Sequence, residues 1–352
     1  MNRNNTLVLA SRLIGPKPHP DVRPVSLAVR RALVGYTNPV IVGCSGGADS
    51  LALAVCAIDL ATRAGLPVHT ITVDHQIRPH SAAEAEQVAA LLQELGAHAT
   101  VATVDPGELS GNSGPEGDAR EGRYRAFALA LKQLGLDDKP IWLGHTMDDQ
   151  AEGTLLALGR GSGTRTLAGM RECGPIMRPL LGIRRAQTEA CCTALDLEYV
   201  KDPTNKVDGP WKAADGTPLR RSAIREIALP ALTMALGMDP TAALAKTAAL
   251  TRADDDALEY YAHLVARQAT VATDEDETRF NTEVLAGHPP ATRRRVYRNA
   301  AGKLGGRALT FEHLQRIDQL VTNWRGQGTL NLPGVSVRRK SARNQLIFRK
   351  QL

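Results

Sequence analysis

The sequence predicts an α/β protein: a doubly wound parallel sheet, followed by a helical region and a small basic C-terminal region. Three observations carry this. Short apolar runs alternate with helix-forming stretches from about residue 25 to residue 200. The first apolar run turns through two glycines straight into a helical stretch, Cys44-Ser45-Gly46-Gly47-Ala48-Asp49-Ser50. After Arg225 the alternation stops and an alanine- and leucine-rich helical pattern takes over. Strands linked by helices pair in parallel and gather ligands at their carboxyl ends.

Pro16, Pro18, Pro20 and Pro24 mark an extended linker, so residues 1–24 read as a disordered or loosely docked extension. A helix over 25–36 leads to strand one (39–43), and a helix over 50–64 ends near Gly65-Leu66-Pro67. Strand two covers 68–73. Ser81 and Glu84 form a capping-box pattern ahead of Ala85, Val88, Leu92 and Leu95 at helical spacing, with Gly96 as the stop. Strand three covers 98–104, a polar loop covers 105–114, and Pro115 sits in the first turn of a helix that runs to 134. Strand four (140–143), helices over 148–158 and 184–195, and a strand over 197–200 complete a domain at 25–228. Residues 229–352 are helical over 230–268 and 292–303, and again from Thr310, where Leu314, Ile317, Leu320, Val321 and Trp324 form a core-facing stripe. Short runs at 329–332, 335–339 and 345–348 read as small strands.

The glycine turn is the chemical centre. Unpaired N–H groups at a helix N-terminus, with the positive end of its dipole, make an anion site. Gly46 and Gly47 lack Cβ atoms, so phosphate oxygens can approach the backbone, and Ser45 and Ser50 add hydroxyl donors. Asp49 repels phosphate and makes sense with a divalent cation between the two. No lysine precedes Ser50, so this is not the Walker-type loop. Polar groups also follow strand two (Asp74-His75-Gln76-Ile77-Arg78) and strand four (His145-Thr146-Met147-Asp148-Asp149-Gln150-Ala151-Glu152). Asp149 and Glu152 project together, as do Glu116, Arg120 and either Arg123 or Tyr124. Zinc competes for His145, Asp148, Asp149 and Glu152, but no second histidine shares the turn. An acid pair that holds magnesium, or the ammonium of an amine substrate, fits better. His75 alone reads equally as a structural histidine.

Hydrophobic content of 43% with 23% charged residues is ordinary for a globular protein. No apolar stretch approaches the roughly 20 residues of a membrane span, so no membrane partner is expected. Five cysteines, two of them adjacent and none in Cys-x-x-Cys spacing, point to a reducing, cytoplasmic setting without a structural zinc or iron–sulfur site. Residues 279–352 carry 15 Lys and Arg against 3 Asp and Glu, while residues 226–278 carry 3 against 10. A basic segment of this kind points to a polyanion, RNA or DNA first. Aromatics are only 4%, so stacking on an aromatic platform is not the main device. The oligomeric state stays open, a homodimer included.

The motif S-G-G-A-D-S (45–50) resembles the PP-loop of ATP pyrophosphatases. With it come V-D-H-Q-I-R (73–78), P-E-x-x-A-R-x-x-R-Y (115–124), G-H-T-M-D-D-Q-A-E (144–152), L-G-R-G-S-G (158–163), L-A-G-M (167–170), R-P-L-L (178–181) and D-P-T-N (202–205). In order and spacing this set is similar to the tRNA(Ile)-lysidine synthetases, over about residues 40–230. The resemblance implies an adenine nucleotide alpha hydrolase-like sheet, with ATP and Mg²⁺, free L-lysine and the CAU-anticodon isoleucine tRNA as cofactors and partners. It implies a two-step, AMP-forming carbon–nitrogen ligation. The wobble cytidine is adenylated with release of pyrophosphate, then lysine displaces AMP, and codon reading moves from AUG to AUA.

On this resemblance Ser45, Gly46, Gly47, Ala48, Asp49 and Ser50 bind ATP, and Asp49 meets Mg²⁺ through phosphate. Asp49, Asp149, Glu152 and His145 are the catalytic set. Asp149, Glu152, Arg120 and Arg123 hold lysine. Arg221, Arg225, Arg293, Arg294, Arg295, Arg298, Arg338, Arg339 and Lys340 grip tRNA phosphates, which orient without reading sequence. Two departures stand out: Ala151-Glu152-Gly153 where the family reads A-E-T, and Arg221-Ser222-Ala223-Ile224-Arg225 where it reads R-N-R-I-R, with Arg220 as a substitute for the lost charge. A related tRNA thiolase would need paired catalytic cysteines, and an amidotransferase-type synthetase a glutaminase domain. A non-catalytic relative would bind ATP without releasing pyrophosphate.

Overall fold

The computed structural model describes residues 9–76, 80–104, 114–202, 206–213 and 215–351. Ile77, Arg78, residues 105–113, and Pro203, Thr204 and Asn205 lie outside the described residues, as do the side chains of Pro115 and Glu116. The chain folds as two units, Met1–Ala249 and Leu250–Leu352.

In the first unit β1 (Val40–Gly43), β2 (Val68–Asp74), β3 (His98–Thr103), β4 (Ile141–Leu143) and β5 (Ile176–Met177) form a parallel sheet in the order β3-β2-β1-β4-β5. Among the described residues the helices α1 (Ala10–Ile14), α2 (Arg23–Ala32), α3 (Ala48–Arg63), α4 (Ser81–Glu94), α5 (Gly114–Gln133), α6 (Met147–Gly159) and α7 (Thr164–Leu167) precede or connect these strands, and α8 (Arg185–Ala194) follows β5. All four residues of β1 are buried. Alternate side chains of a strand leave on opposite faces. Val40 and Val42 therefore join one core with Leu51, Val55, Ile58, Trp142 and Leu180, whereas Ile41 joins another with Ile71, Phe127, Leu131 and Leu143. Each large apolar side chain buried in this way contributes about 1.5–3 kcal/mol. From β1 the chain runs outward through β2 to β3 and then crosses back to β4 on the other side of β1, and the crevice at such a switch point is where ligands of open α/β sheets bind.

Three local expectations are corrected. Residues 197–200 are not a strand; β5 takes the place beside β4, and the Val200 N–H donates to the Gly46 carbonyl (2.9 Å), laying this segment on the glycine turn. The described part of the N-terminal extension is docked: Ala10 and Ile14, four apart on one face of α1, are buried, and Arg63 donates to the Ser11 and Gly15 carbonyls (3.2 and 3.0 Å). Ser81 does not cap α4. Its hydroxyl donates to Asp74 (2.6 Å), and His80, at φ +77°, precedes the helix instead.

Further along the first unit, α9 (Arg220–Ala223) and α10 (Leu229–Leu236) are joined by a π-turn over Ile224–Ala228. The long helix α11 spans Thr241–Ala269. In the second unit β6 (Thr270–Thr273), β7 (Glu277–Asn281), β8 (Leu330–Leu332), β9 (Val335–Lys340) and β10 (Gln345–Lys350) form an antiparallel sheet in the order β6-β7-β10-β9-β8. The last three strands match the expected runs. The β6–β7 pair was not expected, because its turn is the acidic stretch Asp274-Glu275-Asp276 and, among the described residues, Phe280 alone of the pair joins the hydrophobic core. Helices α12 (Thr282–Ala286), α13 (Pro290–Lys303) and α14 (Phe311–Thr322) add Leu285, Tyr297 and Ile317 to that core around Phe348. On α14, Leu314, Ile317, Leu320 and Val321 are buried as the stripe predicts, and Thr310 caps the helix by accepting from the His313 N–H (3.2 Å). Among the described residues no single helix is long and apolar enough to cross a membrane.

Candidate active site

The first wall of the site is the turn after β1. Gly46 has φ +79°, a region L side chains disfavour, and a Cβ there would lie 2.6 Å from Val88 Cγ2. Gly47 is the N-cap of α3. The Ser45 N–H donates to Ser50 Oγ (3.1 Å), which donates to the Gly47 carbonyl (3.0 Å), so the two serines brace the curl. The first N–H groups of α3 have no intrahelical acceptors. They open on a cleft of about 230 Å³ lined by Ser45, Asp49, His75, Arg123, His145 and Asp149, among others.

The second wall is the start of α6, brought close by Gly144. A Cβ on Gly144 would lie 2.8 Å from the Asp49 carbonyl carbon and oxygen, so only glycine lets the end of β4 meet the first turn of α3. Thr146 then donates through its N–H (2.8 Å) and hydroxyl (2.9 Å) to Asp149. Gln150 is clamped by Met170, whose N–H donates to it (2.8 Å) and whose carbonyl accepts from it (3.2 Å). Gly169 permits this, since a Cβ there would meet the Gln150 amide at 2.6 Å. The L-A-G-M run thus fixes the helix that carries Asp149 and Glu152.

The third wall, the first turn of α8, was missed at the level of sequence. Arg185 donates from Nε to Asp49 (3.2 Å), from Nη2 to Asp149 (2.9 Å) and from Nη1 to Glu152 (3.3 Å). Thr188 donates its hydroxyl to Asp49. Arg184 holds Asp148 (3.2 Å) and Asp239 (2.9 Å), which accounts for Asp148 as a structural partner. Glu152 is fully buried and receives two further bonds from Arg225 (2.7 and 3.1 Å). Arg225 reaches it from the π-turn, a feature that often re-aims side chains at functional sites.

The charges follow from this geometry. Burial raises the Asp49 carboxyl above its ordinary range, and neither Arg185 nor Thr188 fully offsets it. Burial works the same way on Asp149, but Arg185, the Thr146 N–H and His145 outweigh it and hold that carboxyl low. Burial opposes the Arg185 charge, yet Asp149, Asp49 and Glu152 together raise its pKa above the usual guanidinium value. His145 is driven down to about 4, by burial first, against the pull of Asp149 and with repulsion from Arg178 added. It is neutral at pH 7, and since its Nδ1 accepts from Arg178 (3.2 Å) its proton sits on Nε2. His75 is also lowered to about 4, by burial and then by Arg123.

The structure therefore gathers Ser45, Gly47, Ala48, Asp49, Ser50, His145, Asp149 and Arg123 around one cleft, with Glu152 hydrogen-bonded behind. Arg120 is exposed and lies over the Tyr124 ring at 5.2 Å, while its charge and that of Arg221 are felt at His145. The cleft has an acidic side, Asp49 and Asp149 with Glu152, and a basic side around Arg123. Arg225 does not face outward for a phosphate, because Glu152 holds it, and Arg220 is engaged at the surface by Asp215. Around Gly153 there is open space, so the missing threonine is not a steric requirement.

The basic residues of the second unit also divide. Arg293 is buried, with two nitrogens on Asp318 (2.7 and 2.8 Å), and Arg295 is buried against Asp255 (2.5 Å). Arg298 pairs with Glu259 (3.1 Å), and Arg339 donates to the Leu320 carbonyl (3.0 Å) and lies over Trp324. These side chains hold the unit together, which corrects the expectation that Arg293, Arg295, Arg298 and Arg339 are held out to tRNA phosphates. Arg338 and Lys340 are exposed, and Arg294 stacks over the exposed Phe311 ring at 4.7 Å.

Residues 29–227 match the PP-loop domain family, and residues 280–343 match the TilS substrate binding domain. The chain is 38% identical over 367 residues to a tRNA(Ile)-lysidine synthase of Streptomyces coelicolor, covering 95% of this chain and 99% of that one. It is 43% identical over 328 residues to a tRNA(Ile)-lysidine synthase of Salinispora arenicola, covering 90% and 92%. Among solved structures, a U34-tRNA thiolase of Methanococcus maripaludis shares the fold at a TM-score of 0.50 and 17% identity, covering 66% of this chain and 79% of that one.

Proposed function

The chain belongs to the tRNA(Ile)-lysidine synthase family, and from that premise we propose that it joins free lysine to the wobble cytidine of the CAU-anticodon isoleucine tRNA. It is an ATP-using ligase of tRNA. In the first step the cytidine ring carbonyl oxygen attacks the ATP α-phosphorus, an O–P bond forms, and pyrophosphate leaves. In the second the lysine ε-amine attacks the activated ring carbon, a C–N bond forms, and AMP leaves with the carbonyl oxygen. Decoding then moves from AUG to AUA.

The observation that carries this reading is the gathering of Asp49, Asp149 and Glu152 around the Arg185 guanidinium beside the glycine turn. The turn's N–H groups, with Ser45 and Ser50, receive the departing pyrophosphate. Asp49 is the residue suited to Mg²⁺, since its carboxylate stands at the phosphate end of the cleft in an otherwise cation-seeking cluster. When bound, that ion neutralises charge on the leaving pyrophosphate. Asp149 and Glu152 hold the lysine ammonium and orient the amine once it has lost a proton. Arg123, with Arg120, faces the lysine carboxylate or a phosphate. Neutral His145 offers Nε2–H as a donor to nucleotide or base. The half-buried Arg294 and the exposed Arg338 and Lys340 meet the tRNA backbone, with Arg221 nearer the cleft. An unstacked wobble base is read along its Watson–Crick edge.

The test is transfer of labelled lysine with ATP and Mg²⁺. Label should enter CAU-anticodon isoleucine tRNA and not methionine tRNA with the same anticodon, with AMP and pyrophosphate as products. Formation of ADP, or no lysine on RNA, would refute the proposal.

A further inference from the structure

Every carboxylate oxygen of the acidic cluster already accepts a hydrogen bond. Asp49 accepts from Thr188 at Oδ1 and from Arg185 at Oδ2. Asp149 accepts from Arg185 at Oδ1 and from Thr146 at Oδ2. Glu152 accepts from both Arg185 and Arg225 at Oε1 and from Arg225 at Oε2. The two arginines sit differently. Arg225 lays two nitrogens on one carboxylate, the fork geometry that fixes a guanidinium. Arg185 spreads single contacts of 2.9–3.3 Å across three different carboxylates. It is the shared cation of the cluster rather than the partner of any one acid. Three carboxylates against two guanidiniums leave one negative charge uncompensated, so the cluster still attracts a cation, and the oxygens it would use are those Arg185 holds.

We propose that Arg185 is a resident cation: it keeps Asp49, Asp149 and Glu152 in register before substrates arrive, and an incoming cation displaces it from part of the cluster. The incoming group is a divalent metal ion or a primary ammonium; its identity rests on the function proposed above, whereas the competition does not. Arg185 is thus a positioning residue that is also a competitor. Competition of this kind is reciprocal: removing the resident charge tightens the newcomer, and binding the newcomer loosens the resident.

The test uses the full chain without nucleotide. Mn²⁺ binding is followed by the electron spin resonance of the free ion, and lysine binding by equilibrium dialysis. In Arg185→Gln at least one of the two should bind about tenfold or more tighter than in wild type, while Arg185→Lys, which keeps the charge, stays near wild type. Tightening of Mn²⁺ alone makes the displaced position a metal position, and tightening of lysine alone makes it the ammonium position. If neither tightens in a variant whose melting curve shows it folded, the proposal is wrong. Should Arg185→Gln not fold, the wild-type Arg185 Nε–H nitrogen resonance, assigned by its loss in Arg185→Lys, decides. It should move on saturation with Mg²⁺ or lysine, and an unmoved resonance with both present overturns the proposal. Tighter cation binding in a chain that transfers no lysine would leave this proposal standing and sink the function above; lysine transfer without tightening would do the reverse.

Discussion

In the second unit Arg293 sets two guanidinium nitrogens on Asp318, and the Tyr297 hydroxyl donates to the same carboxylate (3.1 Å), all of it buried beside the aromatic core. In the first unit Arg185 stretches over three carboxylates at the edge of a cleft. Both are arginine–carboxylate contacts and both lie in low-dielectric surroundings, yet they serve different ends. A matched, two-point, buried pair is internally neutral and has nothing left to offer a ligand. A cluster with more acids than arginines, open to a cleft, retains net charge and therefore affinity. Burial alone does not separate structural from functional ion pairs; charge balance and access to solvent do.

That contrast can be broken in several ways. The largest effect is expected on the open side: Asp49→Ala should lower pyrophosphate release about 100-fold or more, with little change in the melting temperature. Near-normal release would remove Asp49 from the chemistry. On the closed side, Asp318→Ala should leave the Arg293 charge buried without its partner and cost about 3–5 kcal/mol, read from chemical denaturation. A loss below about 1 kcal/mol would mean that the pair is no better than a surface contact. Replacing Arg294, Arg338 and Lys340 together with alanine should weaken tRNA binding about tenfold and lower its salt slope by about two to three, whereas stability should hold. An unchanged slope would reassign these three side chains to mere surface.

The smallest effect is on pH. His145 titrates near 4 in the folded chain against an ordinary 6.5, so between these values the unfolded chain binds a proton that the folded chain refuses. Stability therefore falls as pH drops through that window. The denaturation midpoint should fall less in His145→Gln than in wild type, and equal falls would assign the loss elsewhere.

Much of this was legible in the residue order. Period-two and helical patterns, with glycine and proline punctuation, located β1 to β4 and their helices to within a few residues, because each is decided by neighbours along the chain. The glycine turn was legible for the same reason: Gly46 and Gly47 in that place have few other uses. The exceptions are informative. Residues 197–200 have the composition of a strand, but the edge beside β4 is taken by Ile176 and Met177, a run too short to announce itself. Ser81 has the place of a cap and is drawn instead to Asp74.

The chain by itself thus determined the α/β class, the anion-binding turn and the acids on the first turns of α3 and α6. Only the tertiary structure decided that Arg185, 136 residues beyond Asp49, would stand among those acids, and that Arg293 and Arg295 would turn inward rather than toward RNA. The physical reason is that local conformation depends on near neighbours, whereas the state of a charge depends on what the fold brings against it. A run of arginines reads the same whether its partners are phosphates or aspartates until the carboxylates that face it are in place.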